Sequence, residues 1–172
     1  MIALQIQDKK KMLQVLLEST SFDAFLMQEV SVIRDSSLFL EGRIHPEYQP
    51  YQDFPAQTES IDFVPWHNIR ALLASYIGKE FPLSFKFVLQ APAAYTQNLL
   101  KNAAFTGDPS TVKGLILTFR YEQEHLTCLT GISLTTFSMD KSIETLWDQG
   151  IKKALANMQI GFEECCSNCI IF

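Results

Sequence analysis

What this sequence has little of narrows the field first. No apolar run approaches the ~20 residues that an α-helix needs to cross a bilayer, so no membrane span is expected. Cations are few: 14 Lys and Arg stand against 19 Asp and Glu, a formal net charge of −5. A nucleic-acid binder needs a basic face to neutralise phosphates. The densest basic cluster here, Lys9-Lys10-Lys11, suits a solvated first helical turn, and no nucleic-acid partner is expected. The start, MIALQIQDKKK, has no basic stretch ahead of an apolar one and does not read as a secretory signal. A cytoplasmic, reducing location is the resulting expectation, and it disfavours structural disulfides.

Chemistry-bearing patterns are scarce as well. Gly78-Lys79-Glu80 lacks the upstream glycine and the Ser or Thr of a phosphate-binding loop, and there is no G-x-S-x-G elbow. The three histidines, His45, His67 and His125, are isolated in sequence, without H-x-H or H-E-x-x-H spacing. Of four cysteines, Cys165, Cys166 and Cys169 crowd into EECCSNCIIF while Cys128 stands alone. A structural zinc site normally draws four ligands from two separated pairs, and the second pair is missing. A redox C-x-x-C lowers its thiol pKa at the N-terminus of a following helix, and three residues after Cys169 are too few for one. No metal, no cofactor and no catalytic residue is therefore expected, and the sequence does not assign an activity.

What is there is the composition of an ordinary globular domain. Hydrophobic residues make up 47% of 172, and 13 Phe point to a core built largely on aromatic rings. Such a length buries enough surface to fold without a staple. Ile2 to Ile6 read as a strand. Asp8 is placed to cap a helix over 9–18 with Met12, Leu13, Leu16 and Leu17 inward. Residues 22–34 and 38–45 read as antiparallel strands turning at Asp35-Ser36-Ser37.

Pro65 opens a helix that Gly78 closes, with Ile69, Leu72, Leu73, Tyr76 and Ile77 on its apolar side. A strand follows at 83–90, with Leu83, Phe85, Phe87 and Leu89 on one face. Pro92 starts a helix over 93–104 that turns Tyr95, Leu99, Leu100 and Ala103 inward. Arms at 113–121 and 126–137 form a long hairpin around Glu122-Gln123-Glu124-His125. Asp140 caps a last helix over 141–158, in which Gly150 permits close packing, and a short apolar segment occupies 160–163. Hairpin-like strand pairs with irregularly placed helices predict α+β: a largely antiparallel β-sheet packed with about four helices, one domain over 1–164 and a Cys-rich tail over 165–172.

Four stretches together, FDAFLMQEVSV at 22–32, WHNIRALL at 66–73, GKEFPLSFKFVL at 78–89 and LTCLTGISLTTFSMDKSIETLWD at 126–148, carry a resemblance. The chain resembles an uncharacterised domain-of-unknown-function family of clostridial-type Gram-positive bacteria, over roughly 1–164. The resemblance implies a bacterial origin and a cytoplasmic location, and it brings no activity, cofactor or site residues. A bacterial origin argues against prenylation of the C-I-I-F ending, as do the acids Glu163 and Glu164 where a basic patch would stand.

The most informative segment is PEYQPYQDFPAQTESIDFV at 46–64, an irregular stretch rich in aromatic residues and unusually long for a connection in a compact domain. With its flanks it supplies Arg43, His45, Tyr48, Tyr51, Trp66, His67 and Arg70 as candidate site residues. Aromatic and Arg side chains are preferred anchors at protein interfaces, although aromatics more often serve cores, and Trp66 and the phenylalanines would then pack the segment onto the sheet. The expected function is a non-enzymatic binding or interaction module whose partner is a protein or a second copy of itself. The alternative is an enzyme or small-molecule binder in which Arg43, His45, His67 and Arg70 hold an anionic ligand.

Overall fold

The computed structural model describes residues 1–48, 62–103 and 105–165. Seven antiparallel strands make one sheet: β1 (Ala3–Ile6), β2 (Leu26–Ile33), β3 (Ser37–Glu41), β4 (Ser84–Gln90), β5 (Val112–Glu122), β6 (His125–Leu134) and β7 (Phe162–Glu164), in the order β3-β2-β4-β5-β6-β1-β7. Among the described residues four α-helices accompany it: α1 (Lys9–Glu18), α2 (Trp66–Ile77), α3 (Ala93–Asn102) and α4 (Ser142–Asn157). The chain is a single α+β domain, as the pairing pattern predicts.

Strand alternation creates the core. Phe85, Phe87 and Leu89 of β4 stand beside Tyr121, Phe119 and Leu117 of β5, and these six are buried. Their neighbours on the other face, such as Lys86 and Thr118, are only partly covered. Onto the apolar face α1 lays Met12, Leu13, Leu16 and Leu17, the four residues its spacing marked, while the Asp8 carboxylate accepts the Lys11 N–H at 3.0 Å. Helix α2 contributes Trp66, Leu73 and Ile77, and α4 contributes Ile143, Trp147, Ile151 and Leu155. Rings dominate the interior: Phe85 stacks on both Phe87 and Tyr121, and Phe22 meets Phe119 edge-on.

Several local expectations shift, each for a physical reason. Residues 22–25 form a turn, closed by the Phe25 N–H on the Phe22 carbonyl, so β2 starts only at Leu26. Leu83 is 71% exposed because Pro82 precedes it and the ladder with β5 begins only at Phe85. Leu72 is exposed on α2. Tyr95 is partly exposed; its ring covers Trp147, and its hydroxyl lies 2.9 Å from where a Cβ on Gly150 would stand. Thr96 is the buried residue of α3. Helix α4 begins at Ser142, with Asp140 accepting the Ser142 N–H from just outside it. Strand β6 ends at Leu134, leaving Phe137 90% exposed. Residues 162–164, too short to announce a strand, become β7 because β1 offers them a free ladder.

The β5–β6 hairpin turns on two residues, Gln123 and Glu124, both in the left-handed region with φ of 49° and 67°. Two-residue hairpin turns of this kind favour Asn-Gly, since other side chains are strained there. Replacing Gln123-Glu124 by Asn-Gly is expected to raise the urea unfolding free energy by about 1 kcal/mol. An unchanged or lowered midpoint would show that the turn is not strained.

Candidate functional site

The expected β3 strand stops at Glu41 because the chain changes partner at Gly42. The Gly42 N–H donates to the Gln28 carbonyl at 2.8 Å, and its own carbonyl accepts the Val64 N–H at 2.9 Å. The Ile44 N–H donates to the Asp62 carbonyl at 3.0 Å, so residues 42–44 run against 62–64 as a short extra ladder in which Arg43 faces Phe63. Only glycine permits this crossing, because a Cβ on residue 42 would stand 1.7 Å from the Met27 carbonyl oxygen. Across that contact β2 slips register between Met27 and Glu29, as strands do at a β-bulge. The Met27 N–H bonds the Val64 carbonyl, and the Trp66 N–H bonds the Phe25 carbonyl. Thus both flanks of segment 46–64 are fastened to the start of β2.

A cavity of about 540 Å³ opens at this junction. Its less exposed lining is apolar: Met27, Leu40, Ile44, Val64 and Ile69. Its exposed lining is Glu41, Arg43, His45, Glu47 and Tyr48, with charges of both signs. The Arg43 guanidinium lies 5.6 Å from the centre of the Phe63 ring, within cation–π range. The Tyr48 N–H closes a turn onto the His45 carbonyl at 3.0 Å.

Of the seven candidate residues, Arg43, His45 and Tyr48 line this cavity. Trp66 does not. Its side chain is fully buried, its Nε1–H donates to the Leu16 carbonyl at 2.8 Å, and its ring packs 5.4 Å from that of Phe87. It is a core residue joining α2 to α1 and presents no surface to the cavity. Arg70 is likewise committed: Nε and Nη2 grip both oxygens of Asp23 at 2.6 and 3.3 Å, while Nη1 donates to the Leu17 carbonyl at 3.2 Å. His67 is exposed on the first turn of α2 and does not line the cavity. Tyr51 lies outside the described residues, as do Cys166 and Cys169.

The apolar lining, Leu40, Ile44, Val64 and Ile69 above all, escaped the sequence reading. The one available signal was Gly42 within an expected strand, since a strand glycine often marks a bulge or close backbone approach. Cys128 is fully buried on the core side of β6, where desolvation pushes its thiol well above the ordinary range and leaves it unreactive. Among the described residues no cluster of three His, Cys, Asp or Glu is placed to hold a metal ion.

No curated protein and no solved structure matches the chain. A family of unknown function, DUF5721, matches residues 15–163. The matched stretch covers both flanks of the cavity and leaves out β1, although β1 sits inside the sheet between β6 and β7. The chain belongs to the DUF5721 family.

Proposed function

We propose that the protein is a non-enzymatic binding module whose site is the cavity between residues 43–48 and 62–69, and whose partner is a protein segment that presents an apolar anchor flanked by charges. The observation that carries this is the lining: an apolar interior edged by Arg43, His45, Glu41 and Glu47. Such a surface matches the anatomy of a protein interface, an apolar centre within a polar rim. A small anion is the weaker occupant. Arg70 is already neutralised by Asp23, and two carboxylates, Glu41 and Glu47, share the lining with Arg43. The proposed setting is the bacterial cytoplasm, in keeping with the family resemblance. No described helix is long and apolar enough to cross a membrane.

Selection of displayed random peptides against the full chain tests the proposal. Peptides with one large apolar residue between charged ones are expected to emerge. Ile69→Trp, which fills the cavity, is expected to weaken them at least tenfold while moving the melting temperature by no more than a few degrees. Binders indifferent to Ile69→Trp, or no binders at all, would overturn it.

A further inference from the structure

A second cavity, of about 520 Å³, lies where α3 passes the start of β5. We propose that it binds a small amphiphilic carboxylate, with the anionic head held between Lys101 and Lys113 and the apolar body laid against Leu100, Phe105 and Val112. Its volume falls within the range of small-molecule sites. Both lysines contribute to its lining, and among the described residues no Asp or Glu does. That separates it from the first cavity, where acids and cations mix.

The two lysines are set apart by where they meet: the other cavities at residues 27–69, 28–88 and 105–144 each include a carboxylate in their lining. Across an acidic protein, Lys9, Arg34, Arg70, Lys86, Arg120 and Lys152 each stand beside a carboxylate. Lys101 and Lys113 have no such partner among the described residues, as is true of Lys10, Lys11, Arg43, Lys79, Lys141 and Lys153, but these two meet at one cavity. Asp108, the acid nearest to Lys113 along the chain, is outside the lining and already accepts the Ser110 N–H at 2.9 Å.

Backbone geometry places the second cation. Regular alternation would put Lys113 on the buried face with Leu115 and Leu117, where an unpaired ammonium is costly. Instead, Val112 pairs with Leu134 and Gly114 with Ser133, so Lys113 is an extra residue without an opposite number. A bulge of this kind bends the strand and re-aims a side chain, and bulges gather near functional sites. Lys101 sits in the last turn of α3, where a cation also offsets the helix dipole. A test must therefore separate binding from helix stability.

Calorimetric titration of the full chain with octanoate, octanol and inorganic phosphate makes that separation. Octanoate is expected to bind saturably, one per chain, with octanol and phosphate at least tenfold weaker. Lys113→Met is expected to weaken octanoate at least fivefold, and Lys101→Met/Lys113→Met further still. Lys113→Arg, which retains the charge, should bind within a few-fold of wild type. Amide chemical-shift changes should concentrate at residues 93–101 and 109–114. If the double substitution impairs folding, Lys113→Met and the shift map decide the matter. Absent octanoate binding, octanol binding as tight as octanoate, wild-type affinity in Lys113→Met, or shifts centred on residues 43–48 would each overturn the proposal.

Discussion

Trp66→Ala lowers the unfolding free energy by about 4 kcal/mol, the cost of truncating a fully buried indole. For a chain of this size that corresponds to a fall in melting temperature of roughly 10 °C. Two losses combine. The indole fills space between α1, α2 and β4, and its removal leaves a void beside Phe87. The Leu16 carbonyl also loses the Nε1–H donor that it accepts at 2.8 Å. Trp66→Phe separates them: it retains most of the apolar contact and leaves the carbonyl unsatisfied, for about 1–2 kcal/mol. Tyr48→Ala, at a side chain 60% exposed on the cavity, is expected to change stability by no more than about 0.5 kcal/mol, as surface substitutions usually do, while weakening the selected peptides. Urea unfolding followed by tryptophan-independent far-UV dichroism measures all three. A Trp66→Ala protein with the wild-type midpoint would show that the indole is not part of the core.

Gly42→Ala is the second large effect, with an expected cost of about 3 kcal/mol, the upper end of overpacking penalties. The added methyl has nowhere to go: its ideal position is 1.7 Å from the Met27 oxygen, 2.7 Å from the carbonyl carbon and 2.9 Å from the Met27 sulfur. Relief requires the 42–44 segment to lift off β2, which breaks the Gly42-to-Gln28 hydrogen bond and distorts the cavity that Ile44 and Val64 line. Peptide binding should fall together with stability. Gly131→Ala is the matched control within the same sheet. There a Cβ meets only the Ile116 Cβ, at 3.8 Å, an ordinary contact, and removing a strand glycine is expected to be neutral or mildly stabilising. Equal unfolding midpoints for the two alanine variants would show that the backbone crossing at Gly42 is not as close as described.

The candidate site was legible only in part, and the failures share a cause. Arg43, His45 and Tyr48 lie close together along the chain, so local reading could group them. Trp66 and Arg70 lie in the same stretch, but helical geometry carries them elsewhere. Trp66 turns inward onto Leu16, and Arg70 reaches Asp23, 47 residues earlier in the chain. A composition-based search sees aromatic and cationic side chains near a loop and cannot see that both already have partners. Conversely, Leu40, Ile44 and Ile69 carry no chemical signal, and they matter only because a backbone crossing at a glycine brings them together.

The division between sequence and tertiary structure follows the range of the forces involved. Periodicity, capping and turn chemistry are local, so the sequence alone determined the α+β class, the antiparallel pairing, the four helices and the inward face of α1. The α1 cap at Asp8 and the β5–β6 hairpin are read from a few neighbouring residues. Membership of the sheet by β1 and β7, the bulges at Met27/Glu29 and Val112/Gly114, and the two cavities beside them were decided only by the tertiary structure. Each of these depends on contacts between residues remote in the chain, where one steric fact, the room for a single methyl at Gly42, outweighs local propensity.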